Sequence, residues 1–316
     1  RQLPEDFVVN EQLAFEPSGE GEHVFLQIQK TSENTEYVSR LLARFAGVRQ
    51  RDIGYAGLKD RHAVTTQWFS VWLPGKADPN WAELNSERIA VLRAIRHARK
   101  LKRGVLSANH FSLRVRDWQG DTVHTNQQLM CIKQQGVPNY FGVQRFGNAG
   151  QNILKVLALF QGQKAKPELR SIYLSAARAY LFNQVLANRV EQQNWNQGLP
   201  GDCWMFADSK AFFQSTIQDP SINERLQRCE IHPTGPLWGV GQQTVSGASL
   251  FLETAVLAAY SELTQGLENA NVEMARRALR VNVAELAWQW LDDDSLSLYF
   301  SLPPGAYATS VLRELI

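Results

Sequence analysis

Gly54-Tyr-Ala-Gly-Leu-Lys-Asp-Arg-His-Ala-Val-Thr-Thr-Gln67 is the stretch on which the reading of this chain turns. Gly54 and Gly57 permit a tight backbone and close approach to a partner. One carboxylate, Asp60, lies between Lys59 and Arg61, with His62 next. Cations on both sides favour an ionised carboxylate, the form a nucleophile or a base requires. Thr65, Thr66 and Gln67 offer hydrogen bonds where an extended segment begins. That segment, Gln67 to Leu73, is rich in aromatic and β-branched residues and closes on Pro74-Gly75. By residue type alone, the stretch fits both an active carboxylate and an exposed ionic turn.

The surrounding sequence supplies a sheet for this segment. Leu3 to Phe15 reads as extended around Phe7-Val8-Val9, and His23 to Gln29 alternates with Val24, Leu26 and Ile28 on one face. Ser107 to Arg116 alternates Phe111, Leu113 and Val115 against Ser112, Arg114 and Arg116, predicting one buried and one cationic face. Thr35 to Phe45 has helical spacing and stops at Gly47. Beyond residue 135 the texture turns helical: Ser171 to Val190, Leu252 to Leu263 and Glu268 to Arg280 each read as a helix. Strand texture returns at Ser295 to Leu302, before Pro303-Pro304-Gly305. The order strand, helix, strand predicts an α+β fold in which a helix-rich domain is inserted and the C-terminus supplies the last strand.

Charge is uneven along the chain. The 316 residues hold 33 Lys and Arg against 31 Asp and Glu, a net of +2. Residues 1–36 hold two basic and eight acidic residues, and residues 284–316 one basic and five acidic. Residues 37–116 hold sixteen basic and five acidic residues, a net of +11. Within it, Arg88, Arg93, Arg96, Arg99, Lys100, Lys102 and Arg103 form a run without an acid, as expected of a phosphate-binding surface or of a solvated face.

Several function classes are excluded. No run of 18 apolar residues predicts a membrane span. Cys131, Cys203 and Cys229 form no Cys-x-x-Cys pair, so they read as free thiols in a reducing cytoplasm. There is no His-Glu-x-x-His, no Gly-x-Ser-x-Gly and no Gly-x-Gly-x-x-Gly after a strand. Gly142 to Gly147 has the glycine spacing of a phosphate loop, but Asn148 stands where Lys is needed.

The quoted segment resembles the signature of the TruD family of tRNA pseudouridine synthases, through Gly57, Lys59, Asp60, Ala63, Thr65 and Gln67. Further blocks similar to that family are Pro4 to Val8, Gly19 to His23, Ala108 to Phe111, Val137 to Gly147, Leu174 to Arg178 and Ala308 to Leu315, so the resemblance spans nearly the whole chain. It implies a catalytic pseudouridine-synthase domain of residues 1–134 and 283–316, built on a mixed, mainly antiparallel sheet, with an inserted TRUD domain of residues 135–282. It implies isomerisation of uridine, at position 13 of tRNA, by Asp60, without cofactor or metal. The glycosidic bond breaks, the base turns, and C5 replaces N1 at the ribose; the carboxylate either adds covalently or acts as a base toward the sugar. Phe7, Lys59, Asn109, Phe111 and Tyr307 match substrate-binding positions, although Tyr307 stands where the family commonly has Phe.

By the same resemblance the chain is a cytoplasmic monomer whose partner is tRNA. Arg93, Arg96, Arg99, Lys100 and Arg103 are then expected to grip phosphates on one face around the Asp60 cleft. Two alternatives stay open: an RNA-binding protein that keeps the fold without catalysis, and a hydrolase using a second carboxylate from Asp292-Asp293-Asp294. The triple acid reads more simply as a solvated turn before the last strand.

Overall fold

A computed structural model describes residues 2–102, 104–215, 219–291 and 294–315. The chain divides into two compact units, Arg1–Asp121 with Ala284–Gly305, and Thr122–Val283 with Ala306–Ile316.

The first unit contains β1 (Phe7–Leu13), β2 (His23–Thr31), α1 (Thr35–Phe45), β3 (Ile53–Tyr55), β4 (Val64–Trp72), β5 (Ile89–His97) and β6 (Leu106–Val115). They form one sheet with two later strands, Ala284–Leu291 and Ser295–Leu302. The order runs Ala284–Leu291, Ser295–Leu302, β6, β1, β4, β2, β5, with β3 also paired to β4. Only β1 and β4 run parallel; the other ladders are antiparallel. The two partners on the same edge of β4 divide its length: β1 pairs Val64 to Thr66, and β3 pairs Phe69 to Val71. The gap between β3 and β4 is the loop that carries Asp60.

Both faces of this sheet bury apolar side chains. On one, Leu26, Ile28, Phe69 and Val71 pack with Val38 and Leu42 of α1. On the other, Phe25, Trp68 and Leu101 pack with Phe15. Each such side chain contributes about 1.5–3 kcal/mol on burial. Helix α1 starts where Asn34 accepts a hydrogen bond from the Tyr37 N–H at 2.7 Å. It stops before Gly47, at φ 61°.

The second unit contains α2 (Thr122–Gln135), β7 (Val137–Pro138), α3 (Gln151–Phe160), α4 (Pro167–Glu191), β8 (Cys203–Phe206), β9 (Phe212–Gln214), α5 (Pro220–Gln227), β10 (Ile231–Leu237), α6 (Gly247–Leu257), α7 (Ser261–Asn269), β11 (Ala275–Ala278) and β12 (Arg280–Val281). Strands β13 and β14 are the Ala284–Leu291 and Ser295–Leu302 pair already described, and α8 (Ala308–Arg313) returns to the second unit. Helix α4 presents Leu174, Ala177, Leu181 and Val185 to α3, α6 and α7. Two charge pairs are buried here, Arg189 with Asp202 at 3.1 Å and Arg276 with Glu253 at 2.6 Å.

Three sequence expectations change. Glu268 to Arg280 is not one helix: α7 ends at Asn269, Asn271 takes a left-handed φ of 55°, and β11 and β12 follow. The ladder of β11 with β10 overrides the local helical spacing. The expected helix Leu252 to Leu263 is broken by a 3-10 turn at Ala258–Tyr260. The division between units falls at 121/122 rather than at 134/135, because α2 runs through Gly136 into β7, which pairs with β12. Residues 306–315 lie with the second unit, where Ser310 donates to the Tyr140 carbonyl at 3.2 Å and the Arg313 guanidinium covers the Tyr140 ring. Asp294 occupies a left-handed turn position between β13 and β14, at φ 53°; Asp292 and Asp293 lie outside the described residues.

Candidate active site

The backbone around Asp60 is tied on both sides by side chains of three elements. Gln67 of β4 donates from Nε2 to the Gly57 carbonyl at 2.6 Å, and its Oε1 accepts from the Thr35 hydroxyl at 3.0 Å. Thr35, the first residue of α1, in turn accepts the Lys59 N–H at 3.0 Å. The ammonium of Lys30, from β2, donates to the Asp60 carbonyl at 3.0 Å and to the Glu33 carbonyl at 2.6 Å. The Lys59 ammonium pairs with the Glu11 carboxylate of β1. A buried hydrogen bond is worth about 0.5–1.5 kcal/mol net, and charged ones more. Together these bonds hold the loop while Asp60 itself is exposed. They also explain why the motif ends on Gln67: its amide bridges the start of the loop to α1.

The register of the sheet brings the other candidates onto one face. Phe7, Val9 and Glu11 alternate along β1, and they pair with Leu113, Phe111 and Asn109 of β6. Phe111 pairs onward with Phe300 of β14. In the other direction Val9 pairs with Thr65, which pairs with Lys30. Cross-strand partners project to the same side. Glu11, Asn109, Phe111, Phe7, Thr65 and Lys30 therefore share the face that anchors the Asp60 loop. The rings form a row: Phe7 meets Phe111 edge-on at 6.1 Å, and Phe111 stacks on Phe300 at 5.3 Å. Two polar atoms on this face, Asn109 Oδ1 and Thr65 Oγ1, are buried without a hydrogen-bond partner. An unsatisfied buried acceptor costs about 1–3 kcal/mol, which an incoming donor recovers.

The electrostatics follow from burial. The Glu11 side chain is wholly buried, and desolvation raises its pKa against the opposing pull of Lys59 and of the Trp68 N–H at 2.9 Å. Lys30 is also wholly buried, and desolvation lowers its pKa to about 8, although the charges of Asp60, Glu33 and Glu11 work the other way. Asp60 thus lies near the Lys30 ammonium, while the Lys59 ammonium is committed to Glu11.

The remaining expected site residues are placed as follows. Lys59 has its ammonium on Glu11, with the side chain 12% exposed. Tyr307 belongs to the second unit, where it precedes α8 and lies 6.2 Å from the Phe141 ring. Arg93 pairs with Gln27 and lies over the Trp68 ring at 5.7 Å, on the side of the sheet opposite Lys30 and Gln67. The Arg96 guanidinium donates to the carbonyls of Gly21, Leu73 and Lys76 and pairs with Asp78 at 2.5 Å. Lys100 donates to the Arg51 carbonyl at 2.5 Å, and Arg99 is exposed. Arg103 lies outside the described residues.

The expectation of one cationic face around the Asp60 cleft is therefore corrected for Arg93, Arg96 and Lys100. Strand alternation sends Arg93 to the far side, and Arg96 and Lys100 close loops. Among the described residues, no group of three His, Cys, Asp or Glu is placed to hold a metal ion. A cavity of about 870 Å³ in the second unit, with Tyr140, Phe146, Tyr180 and Arg313 in its lining, contains no carboxylate.

Sequence reasoning missed Glu11, Lys30 and Thr35. Two of them carried a signal. Lys30 continues the buried series Val24, Leu26, Ile28, and Glu11 continues Phe7, Val9, so a charge sits on the apolar side of each strand.

Comparison with known proteins adds to this geometry. The family model of tRNA pseudouridine synthase D (TruD) matches residues 1–160 and 158–315. The chain belongs to the TruD family. Tyr307 and the Asp60 segment both fall inside the matched TruD residues. A tRNA pseudouridine synthase D from Methylococcus capsulatus is 52% identical over 318 residues, covering 100% of this chain and 90% of its own. The TruD protein of Nitrosococcus oceani is 50% identical, covering 99% and 88%. A crystal structure from Methanosarcina mazei, described as a TruD protein, superposes with a TM-score of 0.76 over 99% of this chain and 92% of its own, at 22% identity. That likeness extends the shared fold to a distant sequence.

Proposed function

We propose that Asp60 is the carboxylate with which this TruD-family tRNA pseudouridine synthase isomerises uridine to pseudouridine, at position 13 of tRNA and without a cofactor. The observation that carries the proposal is the tethered loop. Gln67, Thr35 and Lys30 hold its backbone, the Lys59 ammonium pairs with Glu11, and Asp60 stays exposed near the Lys30 ammonium. Holding a reacting group in place before substrate arrives removes orientational cost from the barrier.

The net reaction is balanced within the substrate. The N1–C1′ bond breaks, a C5–C1′ bond forms, C5 loses a proton and N1 gains one. The carboxylate either bonds to C1′ for a time or takes a proton from the sugar. The target base leaves its stack at a cost of a few kcal/mol. Phe7 and Phe111 replace part of the lost stacking, at about 1–3 kcal/mol per base. The Asn109 amide meets the polar edge of uracil, with its buried Oδ1 accepting the N3–H. By resemblance Tyr307 is a further ring for the target nucleotide, and Lys59 holds the loop through Glu11. The first unit is the catalytic domain and the second the inserted TRUD domain. By resemblance the enzyme acts as a monomer in the cytoplasm; among the described residues no helix is long and apolar enough to cross a membrane.

Unmodified tRNA transcripts, folded with Mg²⁺ and given no other addition, test the proposal. The expected product is pseudouridine at one position in a chain of unchanged mass. Free uracil would mark a hydrolase, and tight binding without conversion would mark an RNA-binding protein.

A further inference from the structure

Leu58 stands out in the tethered loop. It is 69% exposed, the most exposed large apolar side chain among the described residues of the first unit. Its neighbours on both sides are fixed: the Gly57 carbonyl accepts from Gln67, and the Lys59 N–H donates to Thr35. The backbone of Leu58 is thus held at both peptide bonds while its isobutyl group reaches into solvent. Asp60 lies two residues on, within about 7 Å along the chain. Exposed apolar groups are common singly, but here one is presented rigidly beside the carboxylate of an enzyme whose substrate is folded RNA.

The reaction has a need that the aromatic row does not meet. Phe7 and Phe111 can stack on a base that has left the helix, but the helix is then left with a gap. Proteins that distort nucleic acids fill such gaps with apolar wedges, Leu among them. We propose that Leu58 is this wedge: it enters the RNA stack as the target uridine leaves, and holds the uridine out at Asp60. The inference rests on Asp60 being the catalytic carboxylate. Leu58 is a positioning residue in this account, since it touches the RNA but not the reacting atoms.

Single-turnover rates on two transcripts test it, one with the target uridine base-paired and one with the opposite base changed so that the uridine is unpaired. A 2-aminopurine beside the target reports unstacking independently. Leu58→Ser leaves no cavity, so its melting temperature should match that of the wild type. On the paired substrate it should lose roughly 10- to 100-fold in rate, the equivalent of one leucine's burial. On the unpaired substrate it should run close to wild type, and Leu58→Met should restore the paired rate. Equal loss on both substrates, or no loss on either, overturns the proposal. Asp60→Asn separates the two readings. It should give the 2-aminopurine signal without product, whereas product from Asp60→Asn would refute the role of Asp60 and leave the Leu58 comparison to be read by itself.

Discussion

Replacing Lys59 with Met exposes how the loop is held. The substitution keeps the aliphatic stem and removes the ammonium, leaving the wholly buried Glu11 carboxylate without its cation. Breaking one side of a buried ion pair costs about 3–5 kcal/mol. For a unit of this size, about 2–4 °C is lost per kcal/mol, so the first unit should melt on the order of 10 °C lower at pH 7. Burial already raises the Glu11 pKa, and loss of Lys59 raises it further. A carboxyl whose folded pKa exceeds its unfolded value binds more protons when folded. Its destabilisation therefore grows as pH rises through that range and disappears below the unfolded pKa of about 4.5. Calorimetry from pH 7 down to pH 4.5 should show the gap between Lys59→Met and wild type closing. Glu11→Gln combined with Lys59→Met should recover most of the loss at pH 7, because no charge is then stranded. A gap that does not change with pH, or a double variant as unstable as Lys59→Met alone, would refute the buried pair as the tether.

Other consequences can be measured separately. Lys30, with its pKa lowered to about 8, loses its charge beside Asp60 as pH rises; kcat should fall above that pH, and Lys30→Arg should move the fall upward. Because that folded pKa lies below the unfolded value, the same group adds relative stability between pH 8 and 10.5, opposite in sign to its effect on rate. Asn109→Leu removes an acceptor that has no partner, so it should leave the melting temperature nearly unchanged while raising KM for tRNA about 10-fold. Arg96→Ala unties three carbonyls and Asp78 and should lower stability by about 1–3 kcal/mol, with no change in the salt dependence of tRNA binding. A shallower salt slope would return Arg96 to the RNA interface.

Much of the site was legible because strands keep a strict period of two. That period placed Phe111 on one face of β6, and it would have flagged Glu11 and Lys30 as charges on apolar faces. The end of α1 was equally plain: Gly47 stops it, as the sequence predicts. Other features depended on long-range pairing that no local pattern reports. Glu268 to Arg280 has helical spacing, but β10 draws its second half into a ladder. Arg96 reads as a phosphate ligand in a basic run, yet its guanidinium closes on carbonyls from residues 21, 73 and 76, which only the folded sheet brings together. Thr35 is silent in sequence, since its role exists only once α1 docks beside Gln67.

The central claim is that Asp60 does the chemistry, and tritium release tests it most directly. Transcripts carrying [5-³H]uridine should lose tritium from the target in step with pseudouridine formation by the wild-type chain. Asp60→Asn should bind the same transcripts with near-native affinity and release none above background. Release by Asp60→Asn at a rate approaching wild type would contradict the account.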